Sequence, residues 1–396
     1  MRELLDRMLA GSDGVLRLEP TWVARDFLPP GRRLGLPEDA YDVGERGAIC
    51  ERWLGSTTKA DNRVGPDDEG LSYLCTDDGE RLLLRTAVQA DPAGLLGAAY
   101  AASHPRGLGR LAKLFDYADR LPYHVHLPQQ FADLVGCRAK DEAYWFPDGV
   151  DMGPHPESFF GVHPSVARGG RGDVLLPYLQ DWDSDLILKH ARGEKQVADE
   201  GFEIPSGVLH APGTALTLEL QEDSDVLSMF QALNAGRIIS KDLLFKDVRP
   251  ADRAAHGERF PLGFVDWELN GDPFFFENRH TAPQPVARAA QPGGDQWWIF
   301  YGNRKFSGKK LVVRPGRTYT AVDGGAYNLL VWRGTGTIGG AEVRGREPGL
   351  DELFVVHGAA TRGVEVVNTG TTELVIFTFF GPDVHDTPIP EPYRPT

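Results

Sequence analysis

The stretch Leu121-Pro122-Tyr123-His124-Val125-His126-Leu127 decides the fold. Residues two apart on an extended strand point to one face. His124 and His126 are therefore predicted to look together into the interior of one β-structure. Lys140-Asp141-Glu142-Ala143 supplies a carboxylate after room for a loop and a second strand. Phe202-Glu203-Ile204-Pro205-Ser206-Gly207-Val208-Leu209-His210 ends on a third imidazole, launched by a Pro-Ser-Gly turn. Three neutral imidazoles and one carboxylate from different strands make a shell that suits zinc, iron, manganese, nickel or cobalt. His124, His126, Glu142 and His210 are accordingly the candidate metal ligands. An isolated His-x-His is common on solvated strands. The order of the three segments is what makes the pattern specific.

Bulk properties agree with a soluble globular protein. The chain has 396 residues, 41% hydrophobic and 25% charged. That length is ample for a sizeable core. A net charge of −15 repels nucleic acid and anionic membrane. A small molecule is the expected partner, and the oligomeric state is left open. Cys50, Cys75 and Cys137 fit neither a zinc knuckle nor a disulfide framework and read as reduced thiols. No segment resembles a signal peptide, and no apolar run approaches the ~18 residues of a membrane span. A cytoplasmic location is expected.

Residues 1–12 read as a short amphipathic helix, and residues 14–88 as strands broken by turns. Residues 91–118 read as a helical insertion, with Leu108, Leu111, Leu114 and Phe115 at helical spacing. Strands return from Leu121. In 214–221, Leu216, Leu218 and Leu220 alternate, the pattern of a half-buried strand. Residues 239–290 read as a helix around Ser240–Asp247 followed by loop. From Gln296 to Phe380 the pattern is again all-β, with a hairpin expected at Asn368-Thr369-Gly370. The Pro-rich tail is expected to wrap the surface. Short strands in two blocks predict a mainly β protein built as a tandem pair of jelly-roll barrels with a small helical insertion. The expected division is 1–238 for a metal-binding barrel, 239–290 for a connector and 291–396 for a metal-free barrel. That last barrel lacks a His-x-His where Asp323-Gly324-Gly325-Ala326-Tyr327-Asn328 stands.

The ordered H-x-H, E and P-x-G-x-x-H resemble the two-motif pattern of the cupin superfamily. Within it the chain is similar to the type I mannose-6-phosphate isomerases. Gly47-Ala48-Ile49-Cys50-Glu51-Arg52-Trp53-Leu54-Gly55-Ser56 resembles that family's early G-E-x-W-x-x-S element. Leu111-Ala112-Lys113-Leu114-Phe115-Asp116 resembles L-x-K-L-x-D, and Lys140-Asp141-Glu142-Ala143 resembles K-x-E-A. Residues 202–211 resemble F-x-x-P-x-G-x-x-H-A. Leu218-Glu219-Leu220-Gln221 with Ser224-Asp225 resembles L-E-x-Q-x-x-S-D. The likeness covers roughly residues 45–250. Three positions depart from it. The family's Gln ligand is His124, the Ser that helps hold the sugar phosphate is Pro122, and the Pro after the second ligand is Leu127.

The resemblance implies a tandem cupin fold (a double-stranded β-helix repeated) and a divalent metal, first of all Zn2+. It implies aldose–ketose isomerisation of a sugar or sugar phosphate, by proton transfer through an enediol. Lys140, two residues before Glu142 and so on its face, is a candidate proton carrier or charge stabiliser, and Glu219, on the expected inward strand after His210, is a candidate base or a partner that orients a ligand. Arg304, in Phe300-Tyr301-Gly302-Asn303-Arg304, stands where the family often carries an arginine that reaches the site from the second barrel. Lys113 and the Trp297-Trp298 pair read as structural, and the remaining histidines lack a partnered spacing. Two alternatives remain: a cupin oxygenase using Fe or Cu, and a non-catalytic sugar-binding cupin.

Overall fold

The computed structural model describes residues 2–168, 172–286 and 291–386. The protein is mainly β, with antiparallel sheets and short helices. Its larger sheets stack in layers. The outermost on one side is five-stranded and contains Glu157–Val162, His210–Ala211 and His124–Val125. Next comes a seven-stranded sheet with Ala48–Leu54, Arg110–Phe115, Glu142–Trp145 and Thr217–Glu222. Phe115, Tyr144 and Phe202 of this sheet share a core with Phe160 of the first. On its other side Leu54, Ala112 and Leu218 pack against Ile299, Leu330 and Phe377 of a nine-stranded sheet. That sheet packs in turn on a four-stranded one, where Tyr319 and Val366 meet Leu311 and Val331.

A sheet covered on both faces has no solvent side. Its strands need not show the apolar–polar alternation of a surface sheet. Thr217–Glu222 illustrates this, because all six residues are buried. Leu218 and Leu220 face the nine-stranded sheet, whereas Glu219 reaches Lys113 and Lys140 on the opposite face. The strand is fully buried, not half-buried. Its alternation separates core from an internal polar site.

The same burial corrects the reading of 108–118. Helices occupy Leu84–Ala90, Pro92–Leu96 and Ala98–Ser103, but Arg110–Phe115 is a strand in the middle of the seven-stranded sheet. Every one of its residues is buried. An apolar run with both faces covered imitates helical spacing when a lysine and an arginine interrupt it. The turn at 368–370 also differs from expectation. Val364–Asn368 lies in the four-stranded sheet and Leu374–Phe380 in the nine-stranded one, so the two strands are joined without pairing. The paired hairpin nearby is Thr335–Ile338 with Ala341–Arg344. Gly339 and Gly340 take positive φ at its tip, as a tight turn demands. Beyond the 3-10 turn Lys241–Phe245, four short helices replace the expected loop: Pro250–His256, Arg259–Leu262, Trp267–Asn270 and Phe275–Arg279. The tail from 387 lies outside the described residues.

The sheets interleave early and late parts of the chain. Val15–Leu18 pairs with Glu352–Val355, Val15 opposite Val355, and so joins the nine-stranded sheet. Arg52 ties the seven- and nine-stranded sheets together. Its guanidinium meets the two Asp351 oxygens at 2.7 and 2.6 Å and Glu352 at 3.0 Å, with all three side chains buried. Changing Arg52 to alanine leaves two carboxylates buried without their cation. Loss of one member of such a cluster costs about 3–5 kcal/mol. We expect the denaturant midpoint of Arg52→Ala to fall accordingly. An unchanged midpoint would show that the cluster adds nothing to stability.

Candidate metal centre

His124 and His210 sit opposite each other on neighbouring strands of the five-stranded sheet. Directly opposed residues share a face. His126 follows two residues after His124 and joins them. The ring centres are 4.1 Å apart for His124 and His210, and 5.0 Å for each with His126. Donor atoms of the three lie within 4.8 Å of one another, and all three side chains are buried.

Each ring is held by a backbone carbonyl. Nδ1 of His124 lies 2.7 Å from Pro122 O, that of His126 2.8 Å from Val226 O, and that of His210 2.9 Å from Val208 O. A carbonyl can only accept, so each Nδ1 carries the proton and each Nε2 presents a lone pair. This is the arrangement that orients imidazole towards a metal. Burial holds His124 far below its ordinary pKa, helped by the neighbouring His210 and His126 rings. Burial and Lys140 hold His126 down to about 4. Both rings are therefore neutral near pH 7, the state in which imidazole binds metals.

Glu142 comes from the facing seven-stranded sheet, paired with Gln221 and Ile204. Its Oε1 stands 2.8 Å from His210 Nε2 and its Oε2 2.9 Å from His126 Nε2. Ligand-to-ligand separations of roughly 2.9–3.4 Å follow geometrically from metal–ligand bonds of about 2.1 Å. His210 Nε2 and Glu142 Oε1 are buried without a hydrogen-bond donor, whereas Glu142 Oε2 has the Lys140 ammonium 3.0 Å away. Two lone-pair atoms pressed together without a proton between them are what a cation would relieve. The donor set and the unsatisfied atoms both fit a divalent metal.

A ladder of alternating charge leads away from the cluster. Lys140 Nζ lies 3.0 Å from Glu142, 3.2 Å from His126 Nε2 and 3.4 Å from Glu219. Glu219 stands 3.2 Å from Lys113, its cross-strand neighbour. Lys113 is 3.8 Å from Glu51, and Glu51 is 2.9 Å from Arg25. Burial opposes charge on Glu142, but Lys140 and the imidazoles hold its carboxylate well below the usual range. Burial likewise works against the Lys140 ammonium, and Glu142 and Glu219 outweigh it and hold its pKa above normal. Burial pushes Glu219 up to about 7 despite the two lysines, with Glu142 adding repulsion.

The structure thus gathers His124, His126, Glu142, His210, Lys140 and Glu219 in one place. It does not bring Arg304 there. That side chain is 69% exposed and pairs with Asp383 at 2.7 Å and Asp386 at 2.8 Å. Lys113 and Glu51 enter the polar network instead. Their signal is inward parity: Lys113 stands opposite Glu219 in the ladder, and Glu51 opposite Phe115, a strand position two residues on from Lys113.

Comparison with solved structures gives the fold independently. Mannose 6-phosphate isomerase from Bacillus subtilis superposes with a TM-score of 0.61 at 15% identity, covering 92% of this chain and 99% of that one. A variant of phosphomannose isomerase from Salmonella typhimurium superposes at 0.62 with 12% identity, over 92% and 99%. The fold is that of the phosphomannose isomerases. No family model matches the chain, and no curated protein matches it. Among the described residues no helix is long and apolar enough to cross a membrane.

Proposed function

We propose that the chain is a metal-dependent aldose–ketose isomerase acting on a sugar or sugar phosphate. One observation carries this reading. A buried cluster of three histidines and a glutamate, with every Nδ1 tied back, stands beside a buried lysine and a second buried carboxylate. The resemblance of the site segments to the mannose-6-phosphate isomerases and the shared fold support it.

In this reading His124, His126, Glu142 and His210 hold the metal, with Zn2+ the first choice. A bound divalent ion supplies Lewis acidity that stabilises negative charge on the substrate oxygens. Glu219 takes the proton from one carbon of the hydroxy-carbonyl unit and returns it to the neighbouring carbon. Lys140, within hydrogen-bond reach of both carboxylates, keeps Glu219 oriented and stabilises the charge that develops on the enediol. Lys113 fixes the far oxygen of Glu219.

The decisive measurement is isotope exchange. Protein loaded with zinc and incubated with aldoses in deuterated water is expected to incorporate deuterium at C2, faster than its metal-free form. Absence of exchange across free and 6-phosphorylated aldoses would reject the isomerase. The third imidazole, His124, favours one other reading. A three-nitrogen, one-oxygen donor set also serves iron or copper in oxygen chemistry. Oxygen consumption coupled to substrate loss would select that alternative.

A further inference from the structure

Arg110 is a buried arginine outside both charge clusters described above. It is 1% exposed and begins the strand Arg110–Phe115 of the seven-stranded sheet. Two residues from Ala112, it points with that residue into the layer shared with the nine-stranded sheet. Its Nη1 donates to Gly55 O at 3.2 Å. Its Nε and Nη2 form the edge with which a guanidinium grips an anion in a fork. Both are buried without an acceptor among the described residues.

The acidic groups that act on Arg110 are committed elsewhere. Glu352 accepts from the Gly55 N–H at 2.6 Å and from Arg52 at 3.0 Å. Asp223 accepts from Arg138 at 2.5 Å, and the Tyr100 hydroxyl donates to Leu108 O. Burial lowers the Arg110 pKa to about 10 against the pull of these three groups. The guanidinium therefore stays charged at neutral pH. Asn328 faces the same layer from the nine-stranded sheet, in step with Leu330. It is fully buried, and neither its amide oxygen nor its amide nitrogen has a partner among the described residues. Gly55 joins the two residues. Its carbonyl accepts from Arg110, and a Cβ at Gly55 would stand 3.0 Å from Asn328 Nδ2.

A buried charge without a counter-charge costs far more than an unpaired neutral group. Water offers such a guanidinium an acceptor but no charge, whereas an anion offers both. The donor atoms are sealed from solvent, which favours a monatomic ion over a phosphate ester or a carboxylate-bearing metabolite. We propose that Arg110 and Asn328 hold a small monovalent anion of the chloride class between the seven- and nine-stranded sheets. There it neutralises Arg110 and ties the two layers together. This assignment is independent of the isomerase reading, and its failure leaves the metal centre untouched.

Crystals of the full chain grown in sodium bromide test the site on the parent protein. An anomalous bromine peak is expected in contact with Arg110 Nε and Nη2. A water in that position overturns the inference, and so does bromide bound only at the surface, an adventitious ion only. Melting in solution gives a second reading. The parent's midpoint is expected to rise by about 2–4 °C when chloride replaces gluconate at constant sodium. Arg110→Met keeps much of the side chain's length and removes its charge, and it is expected to lose that dependence. Equal midpoints of the parent in the two salts overturn the inference. A chloride dependence that Arg110→Met retains does the same, because the ion would then sit elsewhere. If that variant fails to fold, the bromide peak and the parent's midpoints decide alone.

Discussion

Changing His210 to glutamine is expected to strip the protein of its metal. His210 is fully buried between His124 and Glu142, and its Nε2 has no other partner. Glutamine keeps much of the volume, so the surrounding strands need not collapse. Loss of an outer partner of a metal-bound histidine already weakens binding by roughly 10–100-fold. Loss of the ligand itself should exceed that. Elemental analysis after dialysis against a weak chelator is expected to find near-stoichiometric zinc in the parent and almost none in His210→Gln. Stability offers a second readout. A ligand at 100 times its Kd stabilises the folded state by about 2.7 kcal/mol. The parent should therefore melt at a higher temperature with zinc than without, and the variant should show no such difference. Equal zinc in both proteins would remove the proposed metal centre from consideration.

The second large effect is expected at Glu219. Glu219→Gln preserves shape while abolishing the proton carrier. General acid–base groups contribute about 10²–10⁴-fold to rate. We expect kcat to fall by that order with KM and zinc content little changed. The pattern separates the proton carrier from a positioning residue, whose loss would disturb KM or metal content as well. A kcat within a fewfold of the parent would transfer the role to another group, with Lys140 next in line because it stands within 3.4 Å of both carboxylates.

The legible part of the site is the part carried by local geometry. His124 and His126 share parity on one strand, and the Pro-Ser-Gly turn aims His210 back. These are short-range relations, and they survive into the structure. Arg304 rests on a loose likeness without a local constraint. It forms ion pairs with Asp383 and Asp386 at the surface, near the end of the described chain. Lys113 reads as structural from sequence because its strand is covered on both faces. There, apolar and polar residues answer to two interiors rather than to core and solvent. The turn at 368–370 shows the same difficulty in another form. A hairpin signature reports a reversal of the chain, but whether the flanking strands pair depends on which sheet offers each a free edge.

The pairing of Val15–Leu18 with Glu352–Val355 has a consequence for biogenesis. A strand that leaves the ribosome early cannot find its mate until more than three hundred further residues have been made, as the numbering of the pair requires. Until then its unsatisfied edge is open to other chains. Such long-range closure slows folding. It also means that expressing the histidine-bearing half by itself should yield an aggregating fragment, so that any minimal version of this protein must keep both ends.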